Sequence, residues 1–161
     1  MDELPVEGTQ EEEQQEDVRT VQLCIFQIED RQLAVDILQV QEIIKPVEIT
    51  KIPATPKFLL GVINLRGTII PIVQIKSFLG LETQPEAEEE YLIVNDGNMI
   101  LGITVEKVMN MVIVPEKNIT IYDENNPLRA EKYILGSSLV FDKQIYLLDL
   151  HRLIRETKIK I

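Results

Sequence analysis

Lys57-Phe58-Leu59-Leu60-Gly61 returns as Lys132-Tyr133-Ile134-Leu135-Gly136, 75 residues further along the chain. The register holds to the end: Ile72-Val73-Gln74-Ile75 meets Leu147-Leu148-Asp149-Leu150, and Phe78-Leu79 meets Leu153-Ile154. Upstream the spacing is 68, where Leu33-Ala34-Val35-Asp36-Ile37 meets Leu101-Gly102-Ile103-Thr104-Val105. At that spacing Val40, Ile43 and Ile44 face Val108, Met111 and Val112. The second copy is therefore seven residues longer, and Asp123-Glu124-Asn125-Asn126-Pro127 has the loop chemistry to hold the excess. One supersecondary unit is used twice.

Each copy reads mainly as strands. Val21, Leu23 and Ile25 point one way and Gln22, Cys24, Phe26 and Ile28 the other, which predicts a first strand buried on both faces. Glu29-Asp30-Arg31-Gln32 and Asn95-Asp96-Gly97-Asn98 are turns, each followed by an alternating run. Asp-Gly is the stronger signal, because Gly accepts positive φ without steric penalty. Asn64-Leu65-Arg66-Gly67-Thr68 is a third hairpin, leading into Ile69-Ile70-Pro71-Ile72-Val73. Pro71 cannot donate to a ladder and marks an edge or a bulge. Asp36 to Ile44 is ambiguous, since Ile37, Val40, Ile43 and Ile44 also fit helical spacing. Short helices are predicted near Lys76–Leu81 and His151–Lys158. About five short strands per copy make poor open sheets, and closure into small barrels removes most free edges. Barrels of about sixty residues are marginal alone, so the two are expected to pack through a shared core. The fold class is thus mainly β, two packed five-stranded barrels with short helices. The expected layout is an acidic tail over 1–20, a first subdomain over about 21–81, an acidic linker at 82–90, a second subdomain over about 91–155 and a short closing helix.

The net charge of −11 is unevenly placed. Residues 1–20 carry eight acids against Arg19, and residues 82–90 carry five glutamates and no base. The remaining body, with fourteen acids and fifteen bases, is nearly neutral. It offers no basic face to replace phosphate counterions, which argues against nucleic acid as a partner. No run approaches the roughly 20 apolar residues needed to span a bilayer, and Met1 to Asp17 lacks the basic-then-apolar form of a signal peptide. With Cys24 as the sole cysteine, no internal disulfide forms, which suits a cytoplasmic protein.

The search for catalytic chemistry finds little. His151 is the only histidine, and its counterpart in the first copy, Lys76, is a solvent-type residue, so an exposed helix-start residue is expected. A triad of His151 with Ser137 or Ser138 has no nucleophile elbow around it. Cys24 sits in an apolar strand, where an inert buried thiol is the default. One His and one Cys cannot complete a structural zinc site. Gly61 to Thr68 has five residues between its glycines and no phosphate-reaching Lys, so it is not a phosphate loop. No catalytic residue, cofactor or metal is expected.

Binding chemistry is more apparent where the copies differ. Gly61-Val62-Ile63-Asn64-Leu65-Arg66-Gly67 stands against Gly136-Ser137-Ser138-Leu139-Val140-Phe141-Asp142. Arg66 sets five rigid donors on a hairpin tip, suited to a partner's carboxylate, although a solvated turn residue or a local ion pair is the plainer outcome. Val40 or Ile43 can line a groove beside Glu42, against ordinary core alternation. Two packed barrels leave such a groove between them, fit for the anchors of a partner helix.

Asp36-Ile37-Leu38-Gln39-Val40-Gln41-Glu42-Ile43 followed by Gly61 through Val73 closely resembles the CheW family of chemotaxis coupling proteins, over roughly residues 20–155. The resemblance implies two intertwined SH3-like barrels and a non-enzymatic adaptor between methyl-accepting chemoreceptors and the histidine kinase CheA. The implied partners are the receptors' cytoplasmic hairpin tip and the kinase's regulatory domain, with the protein cytoplasmic at membrane-associated arrays. Val40, Glu42, Gly61 and Arg66 match receptor-binding positions of the family, and Asn64 and Leu65 share the Arg66 turn. Kinase contacts are expected on barrel faces, with no residues assigned. The family continues Pro-Ile-Val-Asp-Leu-Arg where this chain has Pro71-Ile72-Val73-Gln74-Ile75-Lys76, as though a local ion pair were removed together. A paralogue serving a chemosensory pathway other than motility fits the same residues. A ligand-binding barrel or hydrolase using His151 or Ser137–Ser138, and a nucleic-acid-binding barrel pair, are the readings from other classes.

Overall fold

A computed structural model describes residues 18–82, 89–127 and 131–159. Residues 1–17 of the acidic tail and 83–88 of the linker lie outside them. The strands are β1 (Thr20–Ile28), β2 (Arg31–Asp36), β3 (Val40–Ile44), β4 (Leu59–Leu65), β5 (Thr68–Gln74), β6 (Glu90–Asn95), β7 (Ile100–Val105), β8 (Lys107–Pro115), β9 (Ile119–Ile121), β10 (Ile134–Val140) and β11 (Lys143–Leu148). Two helices, α1 (Ile75–Phe78) and α2 (Leu150–Thr157), follow β5 and β11. The ambiguous stretch after Asp36 resolves into a single 3-10 turn, Ile37–Gln39, and then β3. Its helical spacing is overridden by pairing with β6. α1 stops early because Gly80 adopts φ +72° and the Leu81 N–H turns back to the Lys76 carbonyl at 3.0 Å.

The strands form a six-stranded sheet, β8-β1-β2-β11-β10-β9, and a five-stranded sheet, β3-β6-β7-β5-β4. Matched through the repeat, the two orders are one pattern. β3 corresponds to β8, the β6–β7 hairpin to β1–β2, and β4–β5 to β10–β11. An isolated bridge from Thr50 to Val62 stands where β9 pairs with β10. Thr50 and Thr120 occupy matching places, so five of the seven extra residues fall between Thr120 and Ser137, the stretch that contains Asp123–Pro127.

The halves of the sequence are not the sheets. Each sheet takes a hairpin from one half and its remaining strands from the other, joined by the parallel pairs β2–β11 and β5–β7. Pro71 sits just outside the β5–β7 ladder, which begins at Ile72. Its missing N–H therefore costs no bond within a central strand. The interior of the first sheet holds Leu23, Ile25, Ala34, Ile145 and Leu147, and that of the second Ile63, Ile70, Ile72 and Ile93. Between them lies the largest cluster, with Phe26, Leu33 and Leu148 against Val73, Leu92 and Ile103. β1 is thus buried on both faces, one inside its own barrel and one against the other. The molecule is two small SH3-like barrels sharing a middle core.

Candidate functional site

The residues singled out in the sequence gather around β3 and the β4–β5 tip. Arg66 and Gly67 form a two-residue turn at φ 51° and 88°, and the Gly67 N–H donates to the Asn64 side-chain oxygen at 2.8 Å. Positive φ at both positions matches the twist of the flanking strands and carries the Arg66 side chain off the barrel end. Arg66 is 71% exposed and its guanidinium donates to the Glu42 carboxylate on β3. β3 and β4 are opposite edges of the five-stranded sheet, so this ion pair spans the seam of the barrel. Arg66 is a solvated turn residue and a local ion-pair member at once. A partner carboxylate would have to compete with Glu42 for it.

Val40 is half-buried, opposite Val94, and packs on the middle core. Leu65 packs against the interior of its own barrel. Gly61 does something different. It is buried at φ +145°, and an added Cβ would meet the Thr50 carbonyl oxygen at 2.4 Å. The crossing segment bonds its Thr50 N–H to the Val62 carbonyl and receives the Val62 N–H in return, both at 2.9 Å. Gly61 therefore shapes the wall behind the tip and offers no surface of its own. Gly136 repeats the device beneath Thr120.

Two exposed apolar residues add to this set. Leu38 is 88% exposed. Asp36 accepts from the Leu38 N–H at 2.9 Å, closing the turn that carries the chain from one sheet to the other and holding the leucine outward. Leu38 and Val40 line a groove of about 330 Å³ with Asn95 and Gly97, room for one or two inserted apolar side chains. The second residue is Phe141, 82% exposed at the β10–β11 tip beside Leu139 at 66%. Phe141 and Asp142 adopt φ 49° and 62°, the same turn as Arg66-Gly67. The 75-residue register pairs Phe141 with Arg66, so the repeat carried this signal; the exposure of Leu38 had no such marker.

The catalytic candidates are apart and occupied. The His151 ring pairs with Asp96 at 2.9 Å. Ser137 accepts from the Tyr122 hydroxyl at 2.6 Å, and Ser138 donates to the Asn118 carbonyl at 3.1 Å. Cys24 is wholly buried, and burial pushes its thiol pKa up. Among the described residues, no group of three His, Cys, Asp or Glu side chains is placed to hold a metal, and no helix is long and apolar enough to cross a membrane.

Lys76 corrects the expectation of a solvent-type residue. It is 5% exposed and its ammonium sits 2.8 Å from Glu106. The Glu106 contact raises the lysine and lowers the carboxyl, burial opposing both. The change to Gln74 and Lys76 therefore does not leave this place without an ion pair. His151, its counterpart, likewise pairs with an acid. Glu106 accepts from the Glu29 amide in the β1–β2 turn, and Asp96 lies in the matching β6–β7 turn. Each closing helix is thus tied to the hairpin of the other barrel.

A family model for the CheW-like domain matches residues 22–158. The chain is 30% identical over 125 residues to "Chemotaxis protein CheW" of Helicobacter pylori, covering 74% of each sequence. It is 28% identical over 134 residues to the protein of the same name from Klebsiella aerogenes, covering 83% of this chain and 81% of that one. The crystal structure of the scaffolding protein TtCheW from Thermoanaerobacter tengcongensis superposes with a TM-score of 0.73 at 29% identity, covering 84% of this chain and 88% of the other.

Proposed function

The chain belongs to the CheW-like domain family, and from that membership we propose that it is a non-catalytic chemotaxis adaptor coupling methyl-accepting chemoreceptors to the histidine kinase CheA. The observation that carries the receptor half of this reading is Leu38. An 88% exposed leucine, held outward beside Val40 and a seam-spanning Glu42–Arg66 pair, suits a helical hairpin tip offering an apolar anchor and a charge. Arg66 and Glu42 set orientation, Leu38 and Val40 supply apolar contact, and Gly61, Asn64 and Leu65 hold the tip in shape. For the kinase, the apolar tip at Leu139 and Phe141 fits a barrel-to-barrel contact, because aromatic anchors dominate interface energetics.

The test is a pull-down of the purified protein with a chemoreceptor cytoplasmic fragment and, separately, with a CheA regulatory domain. Leu38→Glu is expected to lose the receptor fragment and retain the kinase domain, and Phe141→Glu the reverse. Both fragments retained by both variants would remove this assignment of surfaces.

A further inference from the structure

A larger groove, about 1170 Å³, opens between the β6–β7 turn and α2, and shares Asn95 and Gly97 with the groove at Leu38. Its floor is apolar, with Ile69 at 47% exposure beside Met99 and Ile159. Its rim is basic. His151 is engaged by Asp96, but Arg155 and Lys158 are exposed and neither pairs with an acid among the described residues. An acidic peptide with a short apolar centre is the ligand this surface fits.

The chain contains one. Residues 1–17 carry eight acids and no base, and Leu4-Pro5-Val6 is flanked by Asp2-Glu3 on one side and Glu7 on the other. We propose that this segment docks in the groove of its own chain, setting Leu4 and Val6 on the apolar floor and its carboxylates against Arg155 and Lys158. Reach is no obstacle: the fourteen residues from Val18 back to Leu4 span up to about 46 Å at ~3.3 Å each, against a domain roughly 40 Å across. Exposed ion pairs are individually weak and screened by salt. Tethering compensates, because a millimolar effective concentration about half-fills a site whose free-peptide Kd is itself millimolar. In the other acidic run, Glu90 accepts from the Val108 N–H at 3.0 Å, and Glu89 lies in the field of Lys76. A docked segment lies beside the Leu38 groove and competes with whatever enters it, a consequence that rests on the receptor-binding reading; the docking itself does not.

The experiment uses the full chain with a nitroxide on Thr9→Cys, Cys24 being wholly buried and out of the label's reach. In the 15N-labelled protein at low salt, the amides of Ile100, Arg155 and Ile159 should lose intensity selectively. The loss should vanish in Arg155→Glu/Lys158→Glu and at high salt. A control mixes spin-labelled, unlabelled-nitrogen protein with 15N protein lacking the nitroxide. Groove amides no more affected than the rest of the surface would overturn the proposal, as would an effect that survives the double reversal. Broadening of equal strength in the mixed sample would mean docking between copies and would overturn the intramolecular contact. No receptor or kinase enters the measurement, so its outcome is separate from the adaptor reading.

Discussion

At the level of single residues, the chemistry is concentrated in side chains the barrels leave outside. Arg66→Glu faces Glu42 with a like charge, but the site is exposed, and stability should move by only about 0.5 kcal/mol. Receptor engagement should weaken much more, and restoring opposite charge with Glu42→Arg/Arg66→Glu should recover less of it than of stability. Thermal melts alongside the pull-down separate the two effects; a large drop in melting temperature with binding intact would make Arg66 structural. The arginine, its turn and Glu42 were legible in the sequence because turn chemistry is local. The pairing of Glu42 with Arg66 was not, since it joins opposite edges of a sheet. Leu38 was hidden for a related reason. In Ile37-Leu38-Gln39-Val40 nothing distinguishes the leucine that stays out from the neighbours that pack inward, and only the Asp36 cap decides it.

At the level of strands and helices, the repeat predicted most of the elements, while glycine positions mark where they must touch. Gly61 and Gly136 lie under the backbone carbonyls of Thr50 and Thr120, whereas a Cβ at Gly102 would meet the Ile72 methyl at 2.6 Å. Backbone cannot yield as a side-chain end can, so Gly102→Ala should be the mildest of the three alanine variants. Gly61→Ala adds a strained φ and should cost about 2–4 kcal/mol in denaturant unfolding. A ranking with Gly102→Ala worst would contradict these contacts. The closing helices carry the other element-level surprise. Lys76 looked like a surface residue because a lone Lys after a strand normally is one; its partner Glu106 is thirty residues away in sequence and adjacent only once β5 lies beside β7. Lys76→Ala should cost about 1–3 kcal/mol by removing the charged hydrogen bond from the buried ammonium to Glu106, measured by the same unfolding experiment.

For the whole molecule, the exchange of hairpins between sheets is the decisive feature. Periodicity showed two units, yet local pattern is blind to which half supplies each strand. Because neither half closes a sheet alone, fragments 1–82 and 83–161 should each lack a cooperative melt and fold only when mixed one to one. Circular dichroism of each fragment and of the mixture checks this, and independent folding of either would contradict the topology. Acid should act through the same long-range ties. The Lys76 ammonium holds Glu106 below the usual carboxylate range. At Asp96, burial pulls upward but the Asn98 and Met99 amides and the His151 ring outweigh it. Lys132 and Tyr133 hold Glu156 at about 2. Carboxyls with lowered folded-state pKa stabilise above their ordinary titration range and lose that contribution as pH falls through the folded value. Glu89, raised by burial, works the other way. With three against one, the melting temperature should hold from pH 7 to about pH 5 and fall from about pH 4.5 toward 2.

An adaptor of this kind must hold its two partners at once, through separate surfaces. A calorimetric titration of the full chain into a CheA regulatory domain, repeated with a saturating chemoreceptor cytoplasmic fragment present, addresses it directly. Saturable one-to-one binding is expected in both titrations, because Leu38 and Phe141 lie at different barrels. Binding of the kinase domain that disappears when the receptor fragment is present, or no binding to either by a demonstrably folded protein, would contradict it.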